Sequence, residues 1–232
     1  EWLPAIDNGL GMVAIEARRF ADADAAFDRA EAQARAQGNG FELATAQNNR
    51  GLVRQHLGEL RRAAECYQRA AQSYLDAGEI EHRATPLHNW ATVAIQLGEP
   101  EAALHALHEA REIREGGASD RSLGNVYLQL ALVHVRLGDW EPALRYGLQA
   151  ERVFARLNAP GDLSRAHRIR AIALRELGEA ERAREQALLA LAAAERQGDM
   201  RYLAQAQAEL AKHETDAARA AERHLAASDL YR

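Results

Sequence analysis

Apolar positions recur at i, i+3, i+4 and i+7 along nearly the whole chain, the spacing of one face of a helix. In "ATPLHNWATVAIQL" the apolar stripe is Pro86, Trp90, Val93 and Leu97; in "GNVYLQLALVHV" and the residues after it, it is Val126, Leu130, Val133 and Leu137. These stripes predict core-facing helix sides. Two kinds of break interrupt the helical rhythm. One is a Leu-Gly pair, at Leu57-Gly58, Leu97-Gly98, Leu137-Gly138 and Leu177-Gly178. The other is a cluster of turn formers: "AQGNG", "DAGEI", "EGGASD", "LNAPGD" and "RQGDM". A Gly just past a helix end adopts positive φ without a Cβ penalty, so each Leu-Gly pair reads as a last buried residue and its cap.

Both kinds of break return every 40 residues or so, and so do the positions between them. Val13, Val53, Val93 and Val133 fall in one column, with Ala173 fifth. Ala23, Ala63, Ala103, Ala143 and Ala183 make a second column, and Ala30, Ala70, Ala110, Ala150 and Ala190 a third. Arg18 stands in the first unit where the later units have Gly. A fixed period of this length marks a stacked array of supersecondary units. Alanines seven residues apart thin one stripe of the second helix, so a neighbouring helix can approach closely. The pattern predicts helical hairpins over 4–37, 40–77, 80–115, 119–157 and 160–197, and a degenerate, polar sixth pair over 199–231 as a terminal cap.

Composition changes this picture little: Ala, Leu, Glu, Arg and Gln dominate, aromatics are 6%, and an all-α fold follows. A net charge of -5 gives no general attraction to nucleic acid or an anionic membrane, so neither is an expected partner. Cys66 is the only cysteine, which excludes an internal disulfide and fits a reducing, cytoplasmic setting. The opening "EWLPAIDNG" is in helical rhythm without an initiator Met, and points to a piece of a longer protein.

The residues at the turns and alanine columns resemble the tetratricopeptide repeat, in which an Ala is followed four residues later by an aromatic. Ala23 to Phe27 and Ala63 to Tyr67 fit; Ala103 to Leu107 is a conservative variant, and Gly147 and Ala187 depart from it. Leu10-Gly11 matches the family's Leu-Gly pair in the first helix. The period exceeds the family's usual 34 residues, as in the extended modules of bacterial regulators and peptide-binding scaffolds. The resemblance implies a single right-handed α-solenoid over 1–232, with the first helix of each hairpin on the concave side. It also implies a protein- or peptide-binding module of a larger bacterial signalling or transcription-regulatory protein.

The first helices themselves support a groove of unusual character. The two quoted stretches carry no Asp, Glu, Lys or Arg, whereas "EPEAALHALHEAREIRE" of a second helix carries seven charges. Opposite the core stripes lie Thr45, Asn48, Asn49 and Leu52, then Thr85, His88, Asn89 and Thr92, then Asn125, Leu128, Gln129 and Leu132. Asn49, Asn89 and Gln129 would form an amide ladder able to pair with both N–H and C=O groups of an extended peptide. Leu52, Leu128 and Leu132 would add apolar contact. The alternative is an uncharged surface, or a groove covered by another segment of the parent protein. Arg165, Arg168 and Arg175 would make one end basic and suited to a carboxylate; equally, they could be a solvated face balanced by Asp162 and Glu176.

Other chemistry finds little footing. His105 and His108 lie near Glu101, Glu109 and Glu112 but lack a zincin pattern, and His134 reads as a packed imidazole. No phosphate loop or nucleophile elbow is present, and Cys66 beside Tyr67 reads as a packing residue, so no catalysis and no cofactor are expected. Two rivals remain: a scaffold that self-associates into a homo-oligomer or packs within its own polypeptide, and a sensor domain for a small effector.

Overall fold

The computed structural model describes residues 2–116, 121–213 and 217–230. Among these, twelve helices follow one another in antiparallel pairs and no strand occurs. The chain divides into two compact units, Glu1–Gly117 and Ala118–Arg232. Unit 1 holds α1 (Leu3–Glu16), α2 (Phe20–Gln37), α3 (Gly40–His56), α4 (Leu60–Asp76), α5 (Ile80–Leu97) and α6 (Pro100–Glu115). Unit 2 holds α7 (Arg121–Leu137), α8 (Trp140–Arg156), α9 (Pro160–Glu176), α10 (Ala180–Gln197), α11 (Met200–Ala211) and α12 (Ala217–Asp229). Residues 119 and 120, 214–216 and 231, within the spans read from the turns, lie outside the described residues.

The first five hairpins close the same way. Gly58 has φ 76°, its N–H reaches the Gln55 carbonyl at 3.0 Å, and the Glu59 N–H reaches Arg54 O at 2.9 Å. These two bonds satisfy carbonyls that the last turn of α3 leaves open. Gly98, Gly138 and Gly178 repeat the conformation, and Arg18 is forced into it at φ 58°.

The ten alanines of the second-helix columns are fully buried in both units. In unit 1 the rings of Phe27 and Tyr67 fill the space beside them, which leaves no room on the facing first helix. A Cβ on Gly11 would lie 2.4 Å from the Phe27 ring, and one on Gly51 would lie 2.6 Å from Tyr67. Consecutive hairpins then stack: Val53 of α3 joins Ala23 and Phe27 of α2, and Val93 of α5 joins Ala63 and Tyr67 of α4, with Trp90 and Leu97 packed against them.

In unit 2 the aromatic is missing at Gly147, and the structure gives the reason. The stem of Arg170, from α9, occupies that place, so a Cβ on Gly147 would lie 2.8 Å from its Cγ. The guanidinium reaches on to Glu151 of α8. Arg50 and Glu31 make the corresponding pair in unit 1, between α3 and α2, at 2.7 Å.

Candidate functional site

In unit 1 the sides of α3 and α5 turned away from the stacking interface carry the uncharged residues singled out in the sequence. Asn39 caps α3 by accepting the Glu42 N–H at 3.1 Å, which fixes the helix phase. Asn48, Asn49 and Leu52 then lie half-buried, one and two turns beyond Thr45. His88, Asn89 and Thr92 take the same places on α5, and Thr85 is exposed.

Three amides join into one chain. Asn89 Nδ2 donates to Asn48 Oδ1 at 3.0 Å, linking α5 to α3, and Asn48 Nδ2 donates to Asn49 Oδ1 at 3.3 Å. Asn49 Nδ2 and Asn89 Oδ1 make no hydrogen bond among the described residues, so a donor and an acceptor stand at the two ends of this short chain. Asn8 of α1, 40 residues before Asn48, is a further amide; it is buried and donates to Glu42 Oε2 at 2.8 Å. The sequence reading passed over Asn8, although the same 40-residue step from Asn48 leads to it.

The threonines have structural duties. Thr45 Oγ1 lies 2.9 Å from the Tyr74 hydroxyl and donates to Phe41 O at 2.9 Å. Arg114 Nη2 donates to Thr85 Oγ1 at 2.9 Å. Positions 45 and 85, and 74 and 114, are 40 residues apart, so both contacts tie a first helix to its own second helix in the same way. Burial pushes the Tyr74 phenol up, which keeps it neutral in this role. Thr92 bonds back to the His88 carbonyl at 3.1 Å.

Unit 2 corrects part of the expected groove. Leu128 is 1% exposed and Gln129 9%, so both are interior residues and neither lines an open surface. Asn125 and Leu132 are half-buried. Arg175 is taken up by ion pairs: Nη1 lies 2.7 Å from Glu209 on α11, a nearly fully buried carboxylate, and Nη2 lies 2.9 Å from Glu176. Arg165 lies 3.6 Å from Asp162, and Arg168 is half-buried. Asp162 and Glu176 thus balance two of the three arginines, and Arg175 packs α9 against α11.

The other singled-out groups are also placed. His134 is buried, stacks on Tyr146 at 5.6 Å and reaches Asp139 through Nδ1 at 3.1 Å. Cys66 is buried, with Arg69 Nη2 3.4 Å from its sulfur. His105 is exposed and His108 half-buried. Among the described residues no group of three or more His, Cys, Asp or Glu is placed to hold a metal ion, and no helix is long and apolar enough to cross a membrane.

Known proteins resemble the chain in family pattern over part of its length and in fold over most of it. Residues 82–156 match the model of the tetratricopeptide repeat family. Those residues thus carry tetratricopeptide repeats, and the helical hairpins of the chain share the fold of solved repeat structures. BtubC (BKLC) from P. vanneervenii is similar with a TM-score of 0.68 and 19% identity, over 89% of this chain and 86% of that one. A Rap protein complexed with competence and sporulation factor is similar with a TM-score of 0.69 and 18% identity, over 95% and 70%. YrrB, described as a repeat protein with an unusual peptide-binding site, has a TM-score of 0.53 and 19% identity, over 81% and 86%. A search of the curated proteins finds no match.

Proposed function

We propose that unit 1 binds an extended segment of a partner protein along α3 and α5, reading its backbone through the amides of Asn48, Asn49 and Asn89. The observation that carries this is the amide chain itself. Asn49 Nδ2 is a free donor at one end and Asn89 Oδ1 a free acceptor at the other, groups that a C=O and an N–H of an extended strand would satisfy. Leu52 supplies apolar contact beside the amides. The setting we favour is a recognition domain without catalysis in a larger bacterial regulatory or signalling protein. The Rap and YrrB likenesses, whose descriptions mention a bound factor and a peptide site, fit that setting.

A phage-displayed library of twelve-residue peptides, selected on the full chain, tests the proposal. Selected peptides should lose affinity about tenfold or more for the Asn49→Ala/Asn89→Ala double variant, the cost of leaving peptide groups without partners. The variant should unfold within a few degrees of the parent, because both side chains are half-buried. Peptides that bind the double variant as tightly as the parent, or a selection that yields no binder, would overturn it.

A further inference from the structure

The face of α1 that carries Trp2, Leu3, Ile6, Leu10 and Val13 is 55–79% exposed at each of these residues. Five large apolar side chains along one side of a single helix are far more than scattered surface hydrophobes. The repeat shows what this face does elsewhere. Leu3, Ile6, Leu10 and Val13 occupy the register of Leu43, Ala46, Arg50 and Val53 on α3, and of Arg83, Pro86, Trp90 and Val93 on α5. Ala46, Val53 and Val93 are fully buried at those places, and Val53 and Val93 are covered by the second helix of the hairpin before. Val13 is 57% exposed in the same column.

We infer that the open face of α1 is a docking surface for the second helix of another hairpin of this repeat's own kind, continuing the stacking interface by one step. The residues also select which kind of second helix. Arg50 on α3 is met by Asp24 and Glu31 of α2, at 3.4 and 2.7 Å. Trp90 on α5 is met by α4, where the equivalent places are Ala64 and Ala71 and the neighbours are Leu60, Ala63 and Tyr67. Leu10 stands in the column of Arg50 and Trp90 and carries no charge. Burying acids of the α2 kind against it would leave carboxylates without partners, at a cost no apolar contact repays. The fitting occupant is therefore of the α4 kind: small and apolar where α2 is acidic.

The test joins a second copy of residues 40–80 directly ahead of Glu1 of the full chain. Ile80 of the copy then precedes Glu1 as it natively precedes Glu81, so the 40-residue register is kept. Val13→Cys reports on the face, with Cys66→Ser in the added copy, since the only native thiol, Cys66, is buried. In the unextended chain this thiol should react freely with Ellman's reagent; in the extended chain it should react about tenfold or more slowly. Ala64→Asp with Ala71→Glu in the added copy should abolish the protection, and a further Leu10→Arg should restore it. A thiol that reacts equally fast with and without the added copy, whatever the helicity of the added residues, overturns the inference. So does protection that grows with concentration in the unextended chain, because the occupant would then be a second copy of the same face.

Discussion

Arg18 and Gly58 end the first helices of successive hairpins at the same register, and exchanging them isolates the energetics of the turn. Their backbones are nearly alike: Arg18 has φ 58° and Gly58 φ 76°. The hydrogen bonds match too, Arg18 N–H to Ile15 O at 2.9 Å and Arg19 N–H to Ala14 O at 2.8 Å, against 3.0 and 2.9 Å in the second hairpin. No atom lies within 4 Å of where a Gly58 Cβ would sit, so conformation alone distinguishes the sites. An L-residue in the left-handed region costs about 1–2 kcal/mol, and the greater unfolded-state freedom of Gly offsets about 0.5–1 of that. Arg18→Gly should thus stabilise by about 0.5–1 kcal/mol, raising the melting temperature by roughly 2 °C for a chain of this length. Gly58→Arg should destabilise by a similar amount, and the double exchange should nearly cancel. Thermal unfolding followed by far-ultraviolet circular dichroism measures all three. A lowered melting temperature for Arg18→Gly, or no loss for Gly58→Arg, would refute the reasoning.

Glycines at other places should respond by their surroundings. Gly51→Ala drives a methyl into the Tyr67 ring and should cost about 1–3 kcal/mol, whereas Gly9→Ala meets nothing within 4 Å and should gain about 0.5–1 kcal/mol in urea unfolding. Burial raises the Glu31 carboxyl, but hydrogen bonds and charge from Arg50 and Arg35 outweigh it and hold the group below its ordinary value of 4.5. A depressed acid stabilises above its unfolded value, and that contribution is lost as pH falls from about 4.5 through the folded value. Glu31→Gln should therefore cost about 1.5–3 kcal/mol at pH 7, the range for a hydrogen bond to a charged group, and flatten the fall of the urea midpoint below pH 4.5.

How far the sequence carried the reading varied with the range of the interaction. The alanine columns, the positive-φ turns and the stripe of Trp90, Val93 and Leu97 depend on residues within one hairpin and its neighbour. Forty-residue spacing shows these directly. The groove residues depend on partners that spacing does not reveal. Arg175 meets Glu209, 34 residues later in the irregular last pair. Leu128 sits in the column of Asn48 and His88, yet it is buried where they are half-buried, because packing around a position decides its exposure. Val13 shows the converse, identical in type and register to Val53 but uncovered. The Gly147 departure is intelligible only once Arg170 is seen lying in the vacated space.

The same tie recurs in both units, where an arginine on a first helix reaches back to an acid on the preceding second helix: Arg50 to Glu31, and Arg170 to Glu151. These pairs fix the register of stacking at the cost of desolvating charge, whereas the α4–α5 step uses Trp90 on alanines instead.

Backbone reading is the claim on which the proposed function turns, and a paired scan of one selected peptide tests it most directly. Each residue is replaced in turn by Ala and, in a second series, methylated on its backbone nitrogen, and binding to the full chain is measured by calorimetry. The amide chain of Asn48, Asn49 and Asn89 predicts that methylation at one or two central positions weakens binding about tenfold or more, while Ala replacement at those positions changes it little. Loss confined to the Ala series, with every methylated peptide binding as the parent does, would contradict it.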